Sequence, residues 1–403
     1  MRVKALLLEN IHPNAERMLT ARGIEVETRK GALDPGELSS ALEGVELLGI
    51  RSKTRVTAEV LAANPQLLSV GAFCIGTNQI DLTTAAERAV ACFNAPYSNT
   101  RSVVELAIAE ILVMARRLTE KNSALHAGVW QKSATGAHEV RGRSLGIVGY
   151  GNIGSQLSVL AEQLGMRVYF YDIVDRLALG NAKRCESLEE LLDKVETVTL
   201  HVDGRGGNAG MFGREQFERM RPRSLFLNLS RGFLVDYDAL ADALHSGHIA
   251  GAAVDVFPDE PKKAGDPFES VLQNIPNVIL TPHVGGSTEE AQEDIGHFVA
   301  GKLIDFVRSG STSLSVNAPQ AQLDPNIGGT RLLHWHHNVP GVLAKVNSVF
   351  GENDVNIDRQ QLVTRGDIGY AVTDAHGLTD EVYQTILRMP ETVRLSTIDG
   401  VHA

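Results

Sequence analysis

Short apolar runs alternate along this chain with segments whose apolar positions recur every three or four residues. "VKALLLE" is followed by a helical pattern near residues 12–22, "GIEVET" by another near 36–43, and "ELLGI" continues the series. Apolar runs of strand length separated by amphipathic helices predict parallel βαβ construction. Residues 102–118, "SVVELAIAEILVMARRL", keep helical spacing without a proline and predict a long, largely buried helix. A second α/β series follows in "RSLGIVGYGNIG", "MRVYFYD", "ETVTLHV", "SLFLNLSRG", "IAGAAVDVF" and "NVILTPH", enough for a second wound sheet. After a helix near 288–309, "GSTSLSVNAPQAQLDPNIGGT" has no apolar period and reads as a linker. Residues 330–399 then read strand, helix, strand, strand, helix, strand, the ferredoxin-like βαββαβ order. The expected fold class is α/β, with two doubly wound parallel-sheet domains and a small C-terminal βαββαβ domain.

Composition narrows the function classes. A chain of 403 residues suggests two or three domains, and 43% hydrophobic residues can fill several cores. No apolar run approaches the roughly 18 residues of a membrane span. "MRVKALLLEN" turns polar too soon for a signal peptide, so a cytoplasmic location without membrane association is expected. Three widely spaced cysteines, Cys74, Cys92 and Cys185, do not form a disulfide framework. The net charge of −11 disfavours general nucleic-acid binding. "HWHHNVPG" places three histidines in four positions, His334, His336 and His337. In an extended segment His334 and His336 share one side, with Trp335 and His337 on the other. No cysteine or carboxylate stands at ligand spacing, and no metal site is expected there.

The chemistry concentrates in the second series. "GYGNIG" (Gly149, Tyr150, Gly151, Asn152, Ile153, Gly154) follows a strand pattern and opens a helical one. Its glycines let a pyrophosphate approach backbone N–H groups at a helix N-terminus. Asp172, at the end of "VYFYD", is placed to accept hydrogen bonds from ribose hydroxyls and to repel a 2′-phosphate, so NAD is expected over NADP. Arg231, Glu260 and His283 follow later strand-like runs, where ligands of open α/β sheets bind. Oxidation of a 2-hydroxy acid needs these three types. A guanidinium forks onto the carboxylate, an imidazole takes the hydroxyl proton, and a carboxylate orients and charge-stabilises that imidazole.

The chain resembles the D-isomer-specific 2-hydroxyacid dehydrogenases over nearly its whole length. The motifs that carry this are "GYGNIG", "NLSRG", "DVFPDEP" and "TPHVGGST", and more particularly "GAFCIGTNQIDL", "FNAPYSNTRSVVEL" and "HAGVWQKSATG". The resemblance implies Arg231 as substrate anchor, Glu260 as partner carboxylate, His283 as acid/base and Asp255 as a nicotinamide-carboxamide contact. It implies a discontinuous substrate domain (1–98 and 287–310) around an NAD-binding domain (99–286), then a linker (311–328) and a regulatory domain (329–403). It also implies a substrate cleft with Arg51, Lys53, Ser98, Asn99, Thr100 and Lys132, where Trp130 and Lys132 are associated with a neighbouring subunit. The expected reaction is NAD-dependent oxidation of 3-phosphoglycerate to 3-phosphohydroxypyruvate, the first step of phosphorylated serine biosynthesis.

The βαββαβ unit resembles an ACT domain, which binds amino-acid effectors between two copies. By that resemblance His336, Asn338 and Asn356 contact L-serine, Gly328–Gly329 is a hinge, and the chain self-associates as a dimer or tetramer. Several positions depart from the family pattern. Lys53 stands where a second arginine is usual, "DGRGGNAG" (203–210) replaces a proline-containing turn and suggests a more mobile loop, and Arg223, Leu229, Trp335, His337 and Val339 differ too. Two alternatives stay open: a hydroxypyruvate, glyoxylate or 2-oxoglutarate reductase of the same family, and an NAD(H)-sensing corepressor-like binding protein.

Overall fold

The computed structural model describes residues 3–261, 265–325 and 328–399. The few positions of the expected domains at 1–2, 262–264, 326–327 and 400–403 lie outside the described residues. The chain divides into two compact units, one made of residues 1–98 with 292–403 and the other of 99–291.

In the first unit, β1 (Lys4–Leu7), β2 (Glu25–Thr28), β3 (Leu47–Ile50), β4 (Ser69–Ala72) and β5 (Ala91–Phe93) form a parallel sheet in the order β2-β1-β3-β4-β5. Apart from the polar edge strand β2, its strands are largely apolar and buried because both faces are covered. Successive residues feed different cores: Leu6 and Leu8 join Leu48, Ile50 and Val70, whereas Ala5 and Leu7 join Leu47, Phe73 and Phe93. The second core also takes Val299 and Leu303 of the helix Glu289–Ser309.

The same unit carries the βαββαβ module, with β13 (Thr330–His337), β14 (Asn356–Arg365), β15 (Ile368–His376) and β16 (Thr392–Asp399) antiparallel in the order β14-β15-β13-β16. Its helices Val342–Glu352 and Asp380–Leu387 contribute Val346, Phe350, Val382 and Ile386 to a core with Leu332 and Leu395. The other face contributes Leu333, Trp335, Tyr370 and Val372 to the core around Phe93 and Val299. Tyr370 donates to the Gly310 carbonyl at 2.7 Å, and the buried Arg331 pairs with Asp374 and donates to the Ser309 and Asp324 carbonyls. The segment read as a linker is largely buried against β5. Asn317 spends its amide on the Cys92 N–H and the Val90 carbonyl, and Val316 N–H donates to Cys92. Its polar side chains satisfy an edge strand that would otherwise present unpaired groups.

The second unit holds β6 (Ser144–Val148), β7 (Arg167–Tyr171), β8 (Lys183–Arg184), β9 (Thr197–Leu200), β10 (Ser224–Asn228), β11 (Ile249–Val254) and β12 (Val278–Leu280). All pair in parallel, in the order β12-β11-β10-β9-β6-β7-β8, so the strand order reverses between β6 and β9 as in a dinucleotide-binding sheet. The helix predicted for 102–118 runs Thr100–Ala115 and buries Val104, Ala107, Ile111 and Met114. It stops early because Arg117 takes a left-handed φ of 52°, and the following helix Leu118–His126 buries no residue.

Candidate active site

Two of the three glycines of "GYGNIG" fall where a side chain would collide. A Cβ on Gly154 would lie 2.3 Å from the Gly149 carbonyl oxygen; Gly149, at φ 92°, would put one 2.6 Å from the His201 carbonyl oxygen. Gly151 faces open space and caps the helix Asn152–Gln163, whose first turn no side chain caps. Asn152 and Ile153 open that helix, so N–H groups and the positive helix end are presented at the switch point of the sheet. Asp172 follows β7 and accepts from Tyr150 N–H at 2.8 Å and Val174 N–H at 2.9 Å. Arg176 lies 3.7 Å from it with its own side chain half exposed, leaving a carboxylate beside the loop. These residues fit a dinucleotide. In the 203–210 loop Asp203 pairs with Arg205 and accepts from Asn208, so this glycine-rich stretch carries its own ties.

Glu260 and His283 meet although 23 residues apart: His283 Nδ1 lies 2.8 Å from Glu260 Oε2 and 3.0 Å from Oε1. The hydrogen bond to Glu260 and its charge raise the His283 pKa above the ordinary imidazole value, against the opposing pull of burial. Burial pushes the Glu260 carboxyl up, but the His283 hydrogen bond, the Phe257 N–H and the charges of His283 and Arg231 outweigh it and leave it lowered. His283 sits at φ 55°, a strained backbone that needs outside support. Asp255 supplies it. This buried carboxylate accepts from Thr281 Oγ1 at 2.6 Å, Val284 N–H at 2.8 Å and Gly285 N–H at 2.8 Å, bracketing the histidine. Arg231 follows β10, and its Nη1 donates to the Ser230 carbonyl at 2.7 Å. Gly232 after it is irreplaceable on space alone, since a Cβ there would lie 2.0 Å from the Phe257 carbonyl carbon.

Two carboxylates, one in each unit, escaped the sequence reading. Glu9 is buried and holds the 51–54 loop, accepting from the N–H groups of Arg51 (3.2 Å), Lys53 (3.0 Å) and Thr54 (2.8 Å), while Gln79 donates to the Arg51 carbonyl. Glu110 is buried in the long apolar helix, and among the described residues neither oxygen has a hydrogen-bond partner; burial, then the Asp255 charge, push its pKa up to about 8. A carboxylate inside "AEILVM" was its visible signal. Of the other residues expected at the substrate, Arg51, Lys53 and Ser98 belong to the first unit, and Asn99, Thr100 and Lys132 to the second. Asn99 stands at the N-cap position of the helix Thr100–Ala115 without a side-chain cap bond, Thr100 is buried, and Lys132 and Trp130, the latter 78% exposed, stand at the surface.

The expected effector residues do not come together in one chain. Asn338 follows β13 and donates to the Gly366 carbonyl at the β14–β15 turn, whereas Asn356 begins β14 opposite His376. At about 3.3 Å per residue the length of β14 separates them by roughly 25–30 Å. His336 is buried with its ring over Gly369; its Nδ1 is bonded to the His337 carbonyl and its Nε2 has no partner. His334 and His336 do share a face, their ring centroids 5.0 Å apart, while Trp335 packs on Tyr370 across the sheet.

The fold and these motifs define an NAD-dependent oxidoreductase of two wound sheets. Residues 108–285 match the D-isomer specific 2-hydroxyacid dehydrogenase, NAD binding domain, and residues 332–394 match the AHAS small subunit-like ACT domain. The chain belongs to the D-isomer-specific 2-hydroxyacid dehydrogenase family, whose members act with NAD. Within it, the chain is 48% identical over 397 residues to D-3-phosphoglycerate dehydrogenase of Escherichia coli strain K12, covering 98% of this chain and 97% of that one. It is 45% identical to D-3-phosphoglycerate dehydrogenase 1 of Saccharomyces cerevisiae, over 92% and 81% of the two chains. Among solved structures, D-lactate dehydrogenase from Aquifex aeolicus, complexed with NAD and lactic acid, aligns with a TM-score of 0.65 at 25% identity, covering 75% of this chain and 95% of that one.

Proposed function

We propose that the chain oxidises 3-phosphoglycerate to 3-phosphohydroxypyruvate with NAD and supplies serine synthesis in the cytoplasm. The observation that carries the chemical part is the His283–Glu260 pair on the Asp255-braced turn. The near full-length similarity to phosphoglycerate dehydrogenases supports the substrate. NAD, when bound, supplies the hydride acceptor. Gly149, Gly151, Asn152, Ile153, Gly154 and Asp172 hold it, and Asp255 faces the carboxamide. Arg231 forks onto the substrate carboxylate. His283 receives the hydroxyl proton on Nε2, because Nδ1 is committed to Glu260, and the imidazolium that results is stabilised by that carboxylate. Arg51, Lys53, Ser98, Asn99, Thr100 and Lys132 serve the phosphate end, with Glu9 holding the 51–54 loop in register. A reductase of unphosphorylated 2-oxo acids would not need that charge. A dinucleotide-sensing corepressor would not need the proton pathway.

His336, Asn338 and Asn356 form a serine site completed by a second copy: β14 is an edge strand, and only a neighbouring chain can bring its Asn356 to the Asn338 end. The experiment is phosphoglycerate-dependent NADH formation with and without serine. Turnover of 3-phosphoglycerate well above that of glycerate, reduced by serine in wild type but not in Asn356→Ala, is expected. Equal turnover of both substrates overturns the phosphate assignment, and an inhibition unaffected by Asn356→Ala overturns the effector site.

A further inference from the structure

A cavity of about 450 Å³ opens in the first unit, where β16 of the βαββαβ module meets the end of the helix Leu82–Glu87 and the turn before β4. Leu61, Pro65 and Val393 form its apolar wall, and Glu87, Arg88 and Arg394 are its charged groups. Arg394 shares its sheet face with Trp335, to which it is paired in register, and so looks toward the parallel sheet. Its Nη1 donates to the Leu67 carbonyl at 2.7 Å and its Nη2 to the Pro65 carbonyl at 2.8 Å.

Those two carbonyls orient the guanidinium but do not neutralise it. Among the described residues neither Arg88 nor Arg394 forms an ion pair, and burial alone, with no anion beside it, lowers the Arg394 pKa to about 10. A guanidinium has five N–H donors, so three remain on Arg394 after the carbonyls are served. A cation taken out of water without a counter-charge is costly, and the cost is recovered when an anion is supplied. Glu87 and Arg88 are both exposed, and with the half-buried Arg394 they give the cavity lining a net positive charge.

We propose that this cavity is a second oxyanion site, taking a phosphate or a phosphorylated small acid between Arg394 and Arg88, apart from the substrate cleft. Forked N–H donors from two arginines match the tetrahedral oxygens of phosphate. The ligand joins β16 to the parallel-sheet domain beneath it.

The test uses full-length protein and inorganic phosphate at constant ionic strength, with binding followed by calorimetry in wild type, Arg51→Ala, Arg88→Gln and Arg394→Gln. Arg51→Ala separates this site from the proposed substrate cleft. Saturable phosphate binding that survives Arg51→Ala and weakens at least tenfold in Arg88→Gln and Arg394→Gln is expected. Loss of all phosphate binding in Arg51→Ala, or affinity unchanged in Arg88→Gln, overturns the proposal, as does serine binding there in place of phosphate. Arg88 is exposed, so its variant answers the question even where Arg394→Gln fails to fold. Repeating the titration with 3-phosphoglycerate in Arg51→Ala distinguishes the two sources: tighter binding than phosphate identifies a phosphorylated metabolite, and weaker binding the free ion.

Discussion

Two histidine sites in this chain differ in almost everything except residue type. His283 lies half exposed at a strand end, paired with Glu260, and its pKa is raised. His334 is buried in a sheet beside His336, its Nδ1 without a partner and its Nε2 on Thr392 Oγ1, and burial, then the neighbouring His336, push its pKa down to about 4. The first is built to change protonation near neutral pH. The second is held neutral. The difference comes from a carboxylate hydrogen-bonded to His283 in one place and, in the other, from burial and a neighbouring imidazole that outweigh the charge of Glu391.

The largest test of that comparison is His283→Asn. It removes the titrating group while keeping a polar side chain, so turnover should fall by about 10²–10⁴, as expected for loss of general acid–base catalysis. NADH binding, measured by fluorescence, should persist; an unchanged rate would falsify the assignment of His283 as the base.

Next in size is the acid sensitivity of the buried His334. Between pH 6.5 and about 4 the unfolded chain protonates at His334 and the folded chain does not, so stability falls as pH falls across that window. The loss reaches about 3 kcal/mol at one pH unit per 1.36 kcal/mol. Urea denaturation of wild type and His334→Gln at several pH values should show a flatter acid limb in the variant. Parallel limbs would mean that His334 is protonated as readily folded as unfolded.

Glu260→Gln sharpens the other side. Without the carboxylate His283 loses the interaction that raises its pKa, so the rising limb of the pH–rate profile for oxidation should move to lower pH. The maximal rate should fall as well, because the imidazole loses its orienting partner. A profile that keeps its position would show that the pairing does not govern the titration.

The smallest effect concerns neither histidine and serves as a control. Arg223 adopts φ 67°, a left-handed conformation that an arginine adopts only at a cost. Arg223→Gly should leave both pH profiles untouched and raise the melting temperature slightly, by up to about 1 kcal/mol of stability. A destabilised variant would show that its side chain contributes more than the strain removes.

Much of the architecture was legible because its signals are local. Strand-length apolar runs, helical periodicity and the βαββαβ order each depend on residues within a few positions, and the observed elements follow them, as with the helix Glu289–Ser309 read near 288–309. The early stop at Ala115 was not legible, because nothing in "ARRL" announces a left-handed Arg117. The linker was misleading for a related reason. A Ser- and Asn-rich stretch looks loose until β5 supplies backbone groups for it to satisfy.

By itself the sequence determined the wound sheets, the glycine fingerprint, and which arginine, carboxylate and imidazole were candidates for the chemistry. Those depend on residue type and short spacing. Tertiary structure decided what those residues experience. It set Glu260 against His283 across 23 positions, and put Glu9 under a loop more than 40 residues away. It made Asp255 the brace of the turn that carries His283, buried Glu110 beside it, and carried Asn338 and Asn356 to opposite ends of one sheet. Burial and through-space charge fix a pKa or a hydrogen bond only once distant segments have packed, and no local pattern encodes which segments will meet.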